Sequence, residues 1–176
     1  NPCTALSKII AKLKSVPLDN GTKYMPPSNL EFTKIYVDNL SENVVPQSAN
    51  AKFNVRFNSK YKSSALKKKL NKIINSVAKK QKCKTKIEYK VSGEAFYTEP
   101  NKDIYMVKKI VKKVTKIKAK LNCRGGTSDS RFLGSIPRLE LGLRNNSIHQ
   151  INERTPTADL KKLTLIYSNI LKNYFQ

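Results

Sequence analysis

Apolar residues in the first hundred positions recur with two periods, which predicts a mixture of helices and strands. Spacings of three and four residues predict a helix over Thr4–Lys14 and another whose N-cap is Ser63 or Ser64. A strand is predicted over Leu30–Val37, and strict alternation of apolar and polar residues predicts two more, Ala51–Phe57 and Thr85–Val91. The order helix, strand, strand, helix, strand is most of a ferredoxin-like split βαβ sandwich without its first strand.

The remaining residues combine helical spacing with short apolar runs. Helices are predicted after Asn101 and from about Thr155 or Thr157. Short strands are predicted over Ala119–Cys123 and Leu139–Leu143. Two helices and two short strands are too few for an α/β domain, so we expect this part to complete a larger one.

A strong positive charge is the main feature of the composition. There are 35 basic and 12 acidic residues, giving a formal net charge of +23. Clustered cations indicate a nucleic-acid partner, because they release counterions from phosphate. Here lysine is spread over every predicted helix and arginine is scarce. We therefore favour compositional drift towards Lys, Asn and Ile over a nucleic-acid role.

The cysteines and the apolar runs indicate an ordinary cytoplasmic protein. Cys3, Cys83 and Cys123 are far apart and odd in number, which argues against a disulfide framework and favours free thiols. No apolar run is long enough to span a bilayer, and the first residues lack the layout of a signal peptide. No membrane partner is therefore expected.

One glycine-rich segment, R-G-G-T-S-D-S-R-F at positions 124–132, has two interpretations. It is either a tight turn fixed by an Asp129–Arg131 pair or a ligand-contacting loop, since backbone N–H groups of glycine-rich turns bind anions. It matches neither a Walker loop nor a dinucleotide fingerprint. The residues alone leave both interpretations open.

The chain has a single histidine, His149, in a polar loop after a predicted short strand. A lone histidine is most often structural or merely exposed, but ligands gather at strand ends in α/β sheets. One histidine does not make a zinc site, which needs three or four protein ligands.

Several segments taken together resemble the succinyl-diaminopimelate desuccinylase family, dinuclear zinc hydrolases of the M20 metallopeptidase group. In chain order they are M-P-P-S-N-L-E-F-T-K-I, E-N-V-V-P, A-K-F-N-V-R-F-N, V-S-G-E-A-F-Y-T-E-P-N-K, G-G-T-S-D-S-R-F and N-S-I-H-Q-I-N-E. The similarity extends over essentially the whole chain. The most specific strings are G-G-T-S-D-x-R-F and I-H-x-I-N-E.

This resemblance implies an α/β protein in two parts. Residues 1–98 would be a ferredoxin-like α+β lid that mediates homodimerisation and lacks its first strand. Residues 99–176 would be the C-terminal portion of the catalytic domain. The N-terminal catalytic half, with the general base and most metal ligands, is expected to be absent from this chain.

The resemblance also implies the roles of individual residues. His149 would be a metal ligand for one of two zinc ions, with cobalt as an alternative metal. Residues expected to contact the substrate are Asn43, Arg56, Ser92, Gly93, Gly125, Gly126 and Thr127. Asp129 and Arg131 would support the structure near the site. Arg56 lies on the polar face of its predicted strand, where a guanidinium can clamp a carboxylate.

The implied reaction is hydrolysis of N-succinyl-diaminopimelate, an anionic substrate, to succinate and diaminopimelate in bacterial lysine and cell-wall precursor biosynthesis. We expect this chain to be inactive alone. The alternatives are a non-catalytic dimerisation remnant of a split or decaying gene, a related M20 deacylase, and a basic RNA-binding module.

Overall fold

The computed structural model describes residues 1–123, 128–144 and 146–176. Its described helices and strands form an α+β arrangement of four α-helices, two β-strands and one 3-10 helix. In chain order they are α1 (Pro2–Ser15), β1 (Asn29–Tyr36), β2 (Asn50–Arg56), α2 (Ser63–Lys80), α3 (Lys102–Thr115), the 3-10 helix (Asp129–Phe132) and α4 (Thr157–Tyr174).

The chain divides into two compact units. The first contains Asn1–Tyr97 and, of the described residues, Asn122 and Cys123. The second contains Thr98–Leu121 and the described residues from Ser128 to Gln176.

The first unit packs α1 and α2 against an antiparallel hairpin of β1 and β2. Leu70 of α2 is the most deeply buried large side chain, at 1% exposure. The buried members of this core are Ile9, Leu13, Leu18, Leu30, Leu66, Leu70, Ile74 and Ala78. Those on α1 and α2 recur four residues apart on each helix, which agrees with the helical apolar spacing of the sequence.

The hairpin register places apolar side chains opposite one another. Leu30 pairs with Val55 and Phe32 with Phe53, and the two phenylalanine rings meet edge to face with centroids 5.7 Å apart. Such cross-strand pairs are the main source of sheet stability. The register shifts between Phe32 and Lys34, so the strands contain an irregularity there.

The predicted third strand, Thr85–Val91, does not form a strand. The segment does bury alternate side chains, since Ile87 and Tyr89 pack against the core and the Tyr89 hydroxyl donates to Asn71 Oδ1 at 2.7 Å. Alternation reports only that one face is buried, whereas a strand also needs a hydrogen-bonded neighbour. The described part of the ferredoxin-like sheet is therefore the β1–β2 hairpin.

The second unit consists mainly of α3 packed against α4. Its core cluster contains Ile110, Val111 and Ile166 as buried residues. The predicted short strands Ala119–Cys123 and Leu139–Leu143 are wrong, because both segments are irregular. Apolar runs of this length are ambiguous without a pairing partner. Within the described residues, no helix is long and apolar enough to cross a membrane.

Candidate functional site

Asn43 and Arg56 lie at opposite ends of the β-hairpin. Asn43 is exposed in the loop that joins β1 to β2, where the Asn39 amide donates to the Ser41 and Val44 carbonyls at 2.9 Å each. Arg56 is the exposed last residue of β2 and pairs with Asn29. At about 3.4 Å per residue, β2 spans about 20 Å from its loop end at Asn50 to Arg56. The two predicted substrate contacts therefore belong to opposite ends of the hairpin.

Ser92 and Gly93 are held close to the start of α2 through their neighbour Glu94. The Ser63 N–H donates to Glu94 Oε2 at 2.9 Å, and the Ser63 hydroxyl donates to the other carboxylate oxygen. These two bonds hold the pKa of Glu94 below its usual value. The N-cap of α2 is Lys62, not Ser63 or Ser64, and its side chain makes no cap. Glu94 satisfies the exposed N–H instead, from a distant part of the chain.

The glycine-rich segment is described only from Ser128 onwards. Gly125, Gly126 and Thr127, together with Arg124 and Asn145, lie outside the described residues. Asp129 and Arg131 both lie on the 3-10 helix. No ion pair joins them among the described residues, because side chains two positions apart do not face each other on a helix. The Asp129–Arg131 ion pair, which belonged to one of the two interpretations of this segment, is therefore not formed.

Arg138 supports the 3-10 helix in place of that pair. Its guanidinium donates to the carbonyls of Ser130 and Gly134. The Ser128 side chain caps the helix by accepting from the Ser130 N–H at 3.0 Å, and its hydroxyl also donates to Glu140. Arg131 instead places its guanidinium 4.7 Å from the centre of the Phe132 ring.

His149 occupies a left-handed backbone conformation in an exposed loop. Its φ is 61°, a value that costs a non-glycine residue about 1 kcal/mol or more. The His149 N–H donates to Glu153 Oε2 at 3.4 Å. Within the described residues, its imidazole makes no hydrogen bond. Strained backbone of this kind is concentrated at functional sites, because surrounding contacts must impose it.

The loop that carries His149 is closed by Ser147 and Arg154. The buried Ser147 hydroxyl donates to the Arg154 carbonyl at 2.8 Å and accepts from the Arg154 N–H at 2.9 Å. Two successive turns lie inside this closure, from Gln150 N–H to the Ser147 carbonyl and from Glu153 N–H to the Gln150 carbonyl, each 3.1 Å. The loop is thus held at its base while His149 faces solvent.

The residues fit only part of a metal centre. Across residues 1–123, 128–144 and 146–176, no group of three or more His, Cys, Asp or Glu side chains comes together to hold an ion. An exposed imidazole without a hydrogen-bond partner suits a single metal ligand. His149 is the one histidine of this chain, so a metal centre that included it would need its further ligands from another polypeptide.

The comparisons with known proteins decide the family. Residues 1–82 match the M20 peptidase dimerisation domain. The succinyl-diaminopimelate desuccinylase of Pelagibacter ubique is 53% identical over 99% of this chain. Residues 1–82 belong to the M20 peptidase dimerisation domain family. The enzymes of the same name from Rhodopseudomonas palustris and Rickettsia bellii are 39% and 40% identical over 99% and 97% of this chain.

The chain spans about half the length of the curated relatives it matches, 44% to 46% of those three. The predicted resemblance to desuccinylases is confirmed, and so is an α+β fold with a dimerisation domain. The division at residue 98 and the individual site residues remain predictions.

Besides Arg138, the supporting residues that were not predicted from the sequence include Glu94, Ser147 and Arg154. Ser147 carried a weak signal, since a serine in a polar loop commonly bonds nearby backbone. The other two carried none, because Glu94 acts on a helix 31 positions away and Arg154 acts through its backbone.

Proposed function

We propose that this chain is the C-terminal half of a zinc-dependent amide hydrolase that converts N-succinyl-diaminopimelate to succinate and diaminopimelate. The observation that carries the proposal is the 53% identity to a succinyl-diaminopimelate desuccinylase over 99% of the chain. Identity of this degree over both compact units supports shared chemistry as well as shared fold. The place of action would be the bacterial cytoplasm, in lysine and cell-wall precursor biosynthesis.

In this proposal His149 is the metal ligand of the chain. Two divalent ions, zinc or cobalt, would when bound supply a polarised water of lowered pKa. The remaining ligands and the general base would come from the polypeptide that completes the enzyme. The exposure of His149 supports this role, because its imidazole makes no hydrogen bond within the described residues.

The substrate contacts in this proposal come from the lid and from the glycine-rich segment. Arg56 would clamp a carboxylate, and Asn43, Ser92 and Gly93 would contact the substrate from the lid. Gly125, Gly126 and Thr127 would line the pocket with backbone N–H groups. The net charge of +23 would favour the encounter with an anionic substrate.

The dimer in this proposal is formed through the first unit. The match of residues 1–82 to a peptidase dimerisation domain supports a homodimer. The same observation supports the second candidate function, a dimerisation module without catalysis. The two candidates differ in whether hydrolysis appears when the rest of the enzyme is supplied.

The test supplies the full chain with a polypeptide spanning the part of the Pelagibacter ubique desuccinylase that this chain does not match, together with zinc. Hydrolysis is followed by the release of succinate. Our proposal predicts turnover by the mixture and none by either part alone. A stable dimer of this chain, with a complex that forms but never hydrolyses substrate, would leave the dimerisation module as the function.

A further inference from the structure

Helix α4 carries an apolar stripe that remains exposed. Its members follow at intervals of seven, four and three residues, so they share one line along a helix of about 3.6 residues per turn. We call this line the α4 stripe; it consists of Leu160, Tyr167, Leu171 and Tyr174, which are 45%, 45%, 58% and 60% exposed. Four large apolar side chains in one line are more than the scattered exposure usual on a protein surface.

The α4 stripe adjoins the small core of the second unit. On the neighbouring face of α4, Ile166 is buried and Ile170 packs beside it against Ile110 and Val111 of α3. Three buried residues in this cluster are too few to stabilise an independent unit. A segment laid along the stripe would widen this core directly.

We propose that the α4 stripe is the docking surface for the polypeptide that makes up the rest of the relatives' length. The inference rests on the proposed function, and it names the surface through which this chain joins the other half. The chain matches only 46% of the Pelagibacter ubique relative, so the remainder is long enough to supply such a segment. A second copy of the chain is the less suitable occupant, because the dimerisation-domain match lies in residues 1–82 and not on α4.

A matched pair of substitutions distinguishes a loss of docking at the α4 stripe from a general effect of substitution on α4. Leu171→Lys places a charge in the middle of the stripe. Leu165→Lys makes the same change at a leucine that is similarly exposed, at 52%, and lies about 120° around the helix. Both side chains are exposed, so neither substitution opens a cavity, and circular dichroism checks that helicity is equal.

The experiment titrates the full chain with the polypeptide of the Pelagibacter ubique relative that this chain does not match, and measures the dissociation constant. Leu171→Lys is expected to weaken binding by at least about tenfold, whereas Leu165→Lys stays within about twofold. Amide hydrogen exchange of the unsubstituted chain is expected to show protection of residues 160–174 in the complex.

Several results would overturn the inference: no binding by the unsubstituted chain, equal weakening by both substitutions, or no protection of α4. So would a self-association of the chain that Leu171→Lys abolishes while binding is unchanged, because a second copy would then cover the stripe. Binding that depends on Leu171 in a complex that never hydrolyses substrate would reject the proposed function and keep the docking surface.

Discussion

The Ser147 hydroxyl and the Arg154 backbone exchange two hydrogen bonds, of 2.8 Å and 2.9 Å, which close the loop that carries His149. The hydrogen bonds of one buried side chain, rather than bonds between two backbone groups, thus close the base of an eight-residue loop (positions 147–154). Because His149 has a φ of 61°, its conformation depends on this closure and on the Glu153 carboxylate that accepts its N–H.

Replacing Ser147 with alanine should loosen this loop. The change removes both bonds and leaves the Arg154 N–H and carbonyl without their partner, at a cost of about 1–3 kcal/mol in local stability. We expect faster amide hydrogen exchange from residues 148–154 and a changed backbone coupling constant at His149. Ser168→Ala, at an exposed serine of α4, is the control and should change neither. Unchanged exchange in Ser147→Ala would contradict the positioning role.

The turn after α1 requires glycine at position 21. Gly21 has a φ of +73°, and a Cβ there would lie 2.8 Å from the Met25 carbonyl oxygen and 2.9 Å from the Pro27 nitrogen. Gly21→Ala should therefore lower the free energy of unfolding by about 2 kcal/mol or more, measured by urea denaturation. Gly142→Ala is the matched control, since nothing lies within 4 Å of its Cβ position. A loss equal in both variants would reject this account of the turn.

Asp19 should make stability depend on acid pH. Burial opposes its ionisation, but hydrogen bonds from Ser28, Gly21 and Asn58 outweigh that effect and lower its pKa to about 2 from 3.8. The folded-state pKa lies below the unfolded one, so this stabilisation is fully present above about pH 4 and is lost as pH falls through about 2. Asp19 Oδ1 accepts from the Gly21 N–H at 2.7 Å and from the Asn58 amide at 2.6 Å.

The matched variant is Asp19→Asn, which keeps the shape and removes the charge. Unfolding measured at pH 5 should show it less stable by about 1 kcal/mol, a value reduced for solvent screening. The difference from the unsubstituted chain should shrink at pH 2. A difference that stays constant between the two pH values would show that the Asp19 charge does not contribute.

Leu70 should be the most sensitive core position of the first unit. It is 1% exposed at the centre of the α1–α2 cluster, and its truncation leaves a cavity. We expect Leu70→Ala to cost about 2–5 kcal/mol of unfolding free energy, measured by thermal or urea denaturation. Leu40→Ala removes the same atoms from a fully exposed leucine and should cost less than about 0.5 kcal/mol. Equal losses would mean that Leu70 does not lie in the core.

The helices were predictable from the sequence because their apolar spacing is local information. The stripe through Leu66, Leu70 and Ile74 fixes α2 without knowledge of its partners. The segments Thr85–Val91 and Leu139–Leu143 were not predictable, because a strand depends on a neighbour that the pattern does not specify.

The same limit applies to the candidate site. The sequence motifs were enough to predict His149 and Arg56 as site residues. The structure adds that His149 lies in a loop with a left-handed backbone conformation. Glu94 holds Ser92 and Gly93 in place, and Arg138 holds the glycine-rich segment. These partners act across many positions of the sequence or through backbone atoms. The spacing of residues within a motif does not indicate such contacts.

The most direct measurement is succinate release from N-succinyl-diaminopimelate by the full chain mixed with the unmatched part of the Pelagibacter ubique desuccinylase and zinc, with His149→Ala beside the unsubstituted chain. Our account predicts turnover that falls by at least about a hundredfold in His149→Ala, while the complex still forms and zinc binding falls with it. Undiminished turnover by the His149→Ala complex would contradict it.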